Sequence, residues 1–132
     1  MSPDYGEIID YQVPLKANGS DKVGFKAFDL LSYDKSRQTA WILELKINDN
    51  LTDSLLHSVL EAFTYLKTVF KPNLLRDFGL DPEVELRAAV LSIKGDRRWE
   101  EYQSISERPY MRRLMEELGI KVFFLEQEPT VK

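Results

Sequence analysis

The chain has 132 residues, of which 43% are hydrophobic and 30% are charged, and this balance predicts one globular domain over 1–132. It has no cysteine, which excludes disulfide bonds and thiolate metal sites, and its net charge of -4 argues against a protein that coats nucleic acid in bulk. It has neither an apolar run long enough to span a membrane nor a signal-peptide pattern, so we expect a cytoplasmic protein without a membrane partner.

Three strands are predicted in the first third of the chain. Apolar and β-branched residues mark 7–16, 25–34 and 39–47, and the last of these is the most β-like part of the sequence. The two intervening segments, 17–21 and 35–38, are short and polar, as turns are. Strands joined by such short turns pair as an antiparallel meander.

A helix is predicted over 52–70, where the spacing of the apolar residues changes from two to about 3.6. Asn50 or Thr52 is expected to cap its start, and Pro72 is expected to close its end. The apolar residues with this spacing are Leu55, Leu56, Val59, Leu60, Phe63, Leu66 and Phe70.

The second half of the chain predicts two more strands and a second helical segment. A loop or short helical turn is predicted over 74–82, and a strand over 85–93. A helix follows over 96–118, and a last strand over 120–126. Pro109 must kink or split that helix, and Gly119 is a natural C-terminal cap. The order β-β-β-α-β-α-β indicates an α/β fold with a five-stranded mixed sheet, in which both helical crossovers are right-handed.

The register of the second hairpin brings two acidic residues together. If the turn is centred between Ser36 and Arg37, Asp29 lies directly across from Glu44. This register also segregates the apolar side chains on one face, and a slip of one residue would spoil that segregation. Lys46 lies on the same face as Glu44, two residues further along the strand.

Two carboxylates that face each other on a sheet repel, and this arrangement needs compensation. A hard divalent cation such as Mg²⁺ is one candidate, because it binds one or two carboxylates and keeps waters for a substrate phosphate. Lys46 could then orient a water and balance charge on the phosphate. The alternative is a surface charge cluster in which Lys46 pairs with Glu44 or Asp29.

The residues Phe28-Asp29 and Ile42-Leu43-Glu44-Leu45-Lys46 resemble the PD-(D/E)xK nuclease superfamily. The resemblance covers roughly 25–93 and implies a restriction-endonuclease-like core. It further implies that Asp29, Glu44 and the backbone carbonyl of Leu45 bind Mg²⁺ or Mn²⁺, and that Lys46 is catalytic.

The helix after the third strand shows a second, looser resemblance. RecB-like members carry Gln-x-x-x-Tyr at this place, and this chain has Glu61 and Tyr65 there, which are expected to support the site. His57 shares their helix face, and the alternative for all three is a polar stripe on a buried helix. The chain departs from the family in having Phe28 where a proline is usual, and in lacking room for the acidic first helix of many members.

Basic residues concentrate between 94 and 113. Lys94, Arg97, Arg98, Arg112 and Arg113 are the expected contacts to nucleic-acid phosphates. Acidic residues are interleaved with them, so a solvated helix face is the alternative.

The leading hypothesis is therefore a Mg²⁺- or Mn²⁺-dependent nuclease, with DNA as the expected substrate. A catalytically inactive nuclease-fold domain that acts in binding or assembly is the second hypothesis, and an unrelated α/β domain with structural carboxylates is the third. Two successive right-handed crossovers would place both helices on one face of the sheet. Because the other face then needs cover, we expect a homo-oligomer or a longer polypeptide.

Overall fold

The computed structural model describes residues 4–14, 27–46, 54–95 and 97–125. Five strands are formed, namely β1 (Glu7–Pro14), β2 (Ala27–Asp34), β3 (Thr39–Lys46), β4 (Glu85–Ile93) and β5 (Ile120–Leu125). The helices are α1 (Leu55–Thr68), α2 (Lys71–Asp77), α3 (Arg97–Gln103) and α4 (Pro109–Leu118), with a 3₁₀ turn at Ile105–Glu107 between the last two. None of the described helices is long and apolar enough to cross a membrane.

The strands form one open mixed sheet in the order β1-β2-β3-β4-β5. β2 is antiparallel to both of its neighbours, whereas β3, β4 and β5 are mutually parallel. The predicted α/β class with a five-stranded mixed sheet is confirmed. Each parallel connection contains two helices, α1 and α2 between β3 and β4, and α3 and α4 between β4 and β5. A parallel connection must carry the chain back to the end of the sheet where the previous strand began, which takes a dozen or more residues.

The turn between β2 and β3 sets the register of the hairpin. Gln38 closes the turn in the left-handed region, with φ of 50° and its N–H donating to the Lys35 carbonyl. The Asp34 carboxylate accepts hydrogen bonds from both the N–H and the hydroxyl of Ser36. Backbone pairing then runs from Asp34–Thr39 to Leu30–Leu43, which is the predicted register.

The ends of α1 differ from the sequence prediction. Ser54 caps its start by accepting the His57 N–H at 3.1 Å, so the predicted caps Asn50 and Thr52, which lie outside the described residues, are not the cap of this helix. Pro72 does not close α1, which ends at Thr68; it lies in the first turn of α2. A proline fits there because the first turn of a helix has no partner for its backbone N–H.

The helical segment before β5 is split, as predicted. α3 ends at Gln103, and Pro109 begins α4. Gly119 caps α4 with φ of 71°, a conformation that costs glycine little because it has no Cβ. The predicted fourth strand over 85–93 is confirmed as β4.

The central strands of the sheet are buried on both faces. The larger core lies between the sheet and helices α1, α2 and α4, and the second core is on the opposite face around Trp41, Leu43 and Leu91. These three side chains are 5%, 0% and 2% exposed within the single chain. We expected that the face of the sheet without helices would need cover from a second copy or a longer chain. That premise is wrong at these three residues, which the single chain buries. The oligomeric state stays a prediction.

Candidate functional site

Asp29 lies where the backbone pairing of β2 with β3 stops. The last paired positions are Leu30 and Leu43, so Asp29 and Glu44 are the next positions on the two strands. The Asp29 Oδ2 atom accepts a 2.8 Å hydrogen bond from the Leu45 N–H. A side-chain carboxylate therefore takes over the role of a strand carbonyl at this point and holds the end of β3.

Glu44 is a buried acid whose proton is strongly retained. Its side chain is on the helix-covered face, because its neighbours Ile42 and Val90 belong to the larger core, and the residue is only 5% exposed. Burial, followed by the hydrogen bond and charge of Asp29 and the charge of Glu61, raises the pKa of Glu44 to about 9. In the metal-free protein at neutral pH this carboxyl is protonated.

Lys46 lies between two glutamates. Its Nζ is 2.9 Å from Glu61 Oε1 and 3.9 Å from Glu44 Oε1, and its side chain is 15% exposed. The nearby ammonium partly offsets the rise in the pKa of Glu44. The structure thus brings the three predicted catalytic residues, Asp29, Glu44 and Lys46, into one cluster.

Helix α1 contributes Glu61 and Tyr65, as the sequence pattern predicted. The Tyr65 hydroxyl donates to Glu61 Oε2 at 3.3 Å, and burial together with the charges of Glu44 and Glu61 raises the pKa of Tyr65. The i, i+4 spacing places the two side chains on one helix face. Glu61 therefore accepts from Tyr65 with one oxygen and pairs with Lys46 through the other. His57 is exposed in the first turn of the same helix.

The cluster contains oxygen atoms of the chemical type that a hard divalent cation binds. Glu44 Oε2 is buried and accepts no hydrogen bond within the described part of the chain. It is therefore available as a ligand, and carboxylate oxygens are what Mg²⁺ and Mn²⁺ bind. Among the described residues no three His, Cys, Asp or Glu side chains form a metal-binding group. The predicted set needs only Asp29, Glu44 and the carbonyl of Leu45.

Sequence reasoning missed a buried polar network behind Lys46. Arg98 is 1% exposed; its Nε donates to Ser92 Oγ at 3.1 Å and its Nη2 to the Lys46 carbonyl at 3.4 Å. The Ser92 hydroxyl donates to the same carbonyl at 2.8 Å. The prediction that Arg98 contacts nucleic acid at the surface is therefore wrong, because packing of α3 buries its side chain. A serine near the end of a strand is too weak a signal to reveal this network.

Three of the other predicted basic contacts are exposed, one just after β4 and two on α4. Lys94 is exposed just beyond β4, and its N–H donates to the Leu125 carbonyl at the end of β5. Arg112 and Arg113 are exposed on α4, and Arg112 pairs with Glu116 at 3.8 Å. The side chain of Arg97 lies outside the described residues.

Arg112 lines a cleft at the amino end of β5. The cleft has a volume of about 600 Å³, and Gly119 and Ile120, where β5 begins, are part of its wall. Two further cations, Arg87 and Lys121, also line it. This cleft, whose lining also includes Asp4 and Glu116, is at the amino end of β5, whereas Lys46 is at the carboxyl end of β3.

The chain matches no family model, no curated protein and no solved structure. Its chemistry therefore has to be inferred from the side chains. Two interacting carboxyl groups, Asp29 and Glu44, lie with Lys46 beside them at the carboxyl end of β3, where the sequence predicted the site.

Proposed function

We propose that the protein is a Mg²⁺- or Mn²⁺-dependent nuclease with a restriction-endonuclease-like core that hydrolyses phosphodiester bonds, with DNA as its expected substrate. The observation that supports this most is the buried Glu44 carboxyl, which is coupled to Asp29 and lies beside Lys46. A buried acid that has one oxygen without a hydrogen-bond partner is costly, and a cation that binds there would offset the cost.

Each residue has a separate role in the proposed reaction. Asp29 and Glu44 hold the cation, with the Leu45 carbonyl as a further ligand. A cation held there would act as a Lewis acid toward the phosphate and would lower the pKa of a bound water. The Lys46 ammonium orients that water and balances the negative charge that develops on the phosphate.

Glu61 positions the lysine. Its ion pair of 2.9 Å with Lys46 and its hydrogen bond from Tyr65 fix the direction in which the ammonium points. A carboxylate here, in place of the glutamine of RecB-like proteins, makes a charge-assisted contact that is stronger than an amide would make.

Cation binding is coupled to proton release. Because the pKa of Glu44 is raised to about 9, this group must lose a proton at neutral pH before it becomes an anionic ligand. The apparent affinity for Mn²⁺ should therefore rise with pH up to about pH 9.

A second candidate function, a catalytically inactive nuclease-fold domain that acts in binding or assembly, is favoured by one observation. In the metal-free chain Glu44 is neutral at pH 7 and Lys46 pairs with Glu61, so the cluster is largely charge-compensated by its own residues. Such a cluster could persist as a structural remnant without a cation.

An activity assay separates the two candidates. Purified protein is incubated with single-stranded, double-stranded and branched DNA and with RNA, in Mn²⁺, in Mg²⁺ and in EDTA. Metal-dependent cleavage that disappears in Asp29→Asn supports the nuclease. Binding of Mn²⁺ by calorimetry with no cleavage of any substrate would favour the inactive domain.

A further inference from the structure

The carboxyl end of β3 is held from two sides by side chains. On the β2 side, backbone pairing ends at Leu30–Leu43, and the Asp29 carboxylate replaces it by accepting the Leu45 N–H. On the β4 side the ladder continues until Lys46 pairs with Ser92. The backbone carbonyl of Lys46 is contacted there by side chains from β4 and α3.

Three hydrogen bonds converge behind Lys46. The Ser92 hydroxyl donates to the Lys46 carbonyl at 2.8 Å, Arg98 Nη2 donates to it at 3.4 Å, and Arg98 Nε donates to Ser92 Oγ at 3.1 Å. The serine and the arginine are 0% and 1% exposed, so these contacts are shielded from water. Shielded, charge-assisted hydrogen bonds are stronger and more directional than exposed ones.

The burial of Arg98 is not explained by packing alone. Placing a guanidinium in an interior costs more than placing an apolar side chain of similar volume there, and replacing buried charges with well-packed apolar residues is often stabilising. What an arginine adds is a rigid fork of N–H donors. Here one donor reaches the Lys46 carbonyl on β3, and another reaches the Ser92 hydroxyl on β4, which itself donates to that carbonyl.

We infer that Arg98 and Ser92 are positioning residues for Lys46, an inference that rests on the proposed nuclease function. By fixing the Lys46 carbonyl, they fix the direction in which the side chain leaves the strand. That direction places Nζ 2.9 Å from Glu61 and 3.9 Å from Glu44. Displacement of a catalytic group by as little as 1 Å costs on the order of a hundredfold in rate.

The test compares two buried serines in the full chain. Ser92→Ala removes the hydroxyl that bonds the Lys46 carbonyl, whereas Ser32→Ala removes a hydroxyl that is equally buried but bonds the Tyr5 carbonyl at 2.7 Å. Two quantities are measured: kcat and KM for Mn²⁺-dependent DNA cleavage, and the rate at which Lys46 is acetylated, followed by peptide mass spectrometry. Arg98→Met is a third variant. If Arg98→Met does not fold, the comparison of Ser92→Ala with Ser32→Ala tests the inference without it.

The inference predicts that Ser92→Ala lowers kcat by about tenfold or more with little change in KM, and that Lys46 is acetylated several-fold faster. Ser32→Ala should change neither quantity. Equal behaviour of the two variants would overturn the inference, and so would a change in only one of the two quantities when the wild type is active. If the wild type cleaves nothing, the proposed function fails, and the acetylation rate of Lys46 still shows whether Ser92 positions it.

Discussion

The Asp29 carboxylate accepts the Leu45 N–H at 2.8 Å, at the position where β2 stops pairing with β3 through its backbone. The same carboxyl group forms a hydrogen bond with Glu44 and raises its pKa. Asp29 thus has two roles, since it holds the end of β3 and makes the neighbouring acid retain its proton. Its replacement is expected to affect both the fold near the site and the affinity for a cation.

Mn²⁺ is expected to stabilise the folded protein through Asp29 and Glu44. A ligand that binds only the folded state adds about 2.7 kcal/mol at a hundredfold excess over its Kd. Thermal denaturation with Mn²⁺ or EDTA should therefore show a higher Tm with the metal for the wild type, and no metal effect for Asp29→Asn or Glu44→Gln. Glu117→Gln, at an exposed position on α4, is the control and should keep the effect. Equal stabilisation of all four proteins would exclude this site.

Without metal, Glu44→Gln is expected to stabilise the protein at alkaline pH. The folded-state pKa of Glu44, about 9, lies above its ordinary value of 4.5, so the native state binds the proton more tightly than the unfolded state. The tighter binding of this proton stabilises the folded state fully below about pH 4.5. As pH rises toward 9, the free energy of unfolding falls by up to about 1.4 kcal/mol per pH unit. Glutamine has no proton to lose.

The measurement is Tm as a function of pH in EDTA, for the wild type and Glu44→Gln. The variant should gain stability relative to the wild type steadily from about pH 5 to about pH 9, by a few kcal/mol in total. A difference that stays flat with pH would show that Glu44 is ionised in the folded protein.

Lys46→Ala is expected to abolish cleavage while Mn²⁺ binding persists. The ammonium acts on the water and the phosphate and is not a metal ligand, and loss of such a group typically costs about 10²- to 10⁴-fold in rate. Lys67→Ala is the matched control, because Lys67 is exposed on α1, where it lies over the Phe63 ring. Cleavage rates and Mn²⁺ calorimetry on both variants provide the comparison. Undiminished cleavage by Lys46→Ala would remove the lysine from the mechanism.

Glu61→Gln and Glu61→Leu should behave differently. Glutamine keeps an acceptor for Lys46 and Tyr65, and it removes a negative charge that raises the pKa of Glu44. Mn²⁺ binding by Glu61→Gln should therefore develop at lower pH than in the wild type. Glu61→Leu removes the anchor of the lysine and should lower the cleavage rate by about 10- to 100-fold. Calorimetry across pH and single-turnover cleavage measure the two effects. Because both variants remove the charge of Glu61, they are distinguished by the cleavage rate, and equal cleavage rates would contradict the positioning role of Glu61.

The spacing of residues along β2 and β3 was enough to predict the register of the hairpin, which pairs Asp34 with Thr39 through to Leu30 with Leu43 and brings Asp29 next to Glu44. Side chains alternate between the faces of a strand and the turn after Asp34 is short, so only one register keeps the apolar residues together. The same reasoning placed Lys46 on the face of Glu44, and the helical period placed Glu61 and Tyr65 on one side of α1. These are local relationships, and local periodicity determines them.

Only the tertiary structure decided how deeply the site is buried and what holds it. The contact of Arg98 with the Lys46 carbonyl joins residues 52 positions apart, and the pKa of Glu44 depends on how closely α1 covers the sheet. In the sequence Arg98 resembles a basic residue such as Lys94, which is exposed, yet the packing of α3 places Arg98 in the interior. Burial and long-range pairing depend on how elements pack together, and no periodicity within a single element encodes them.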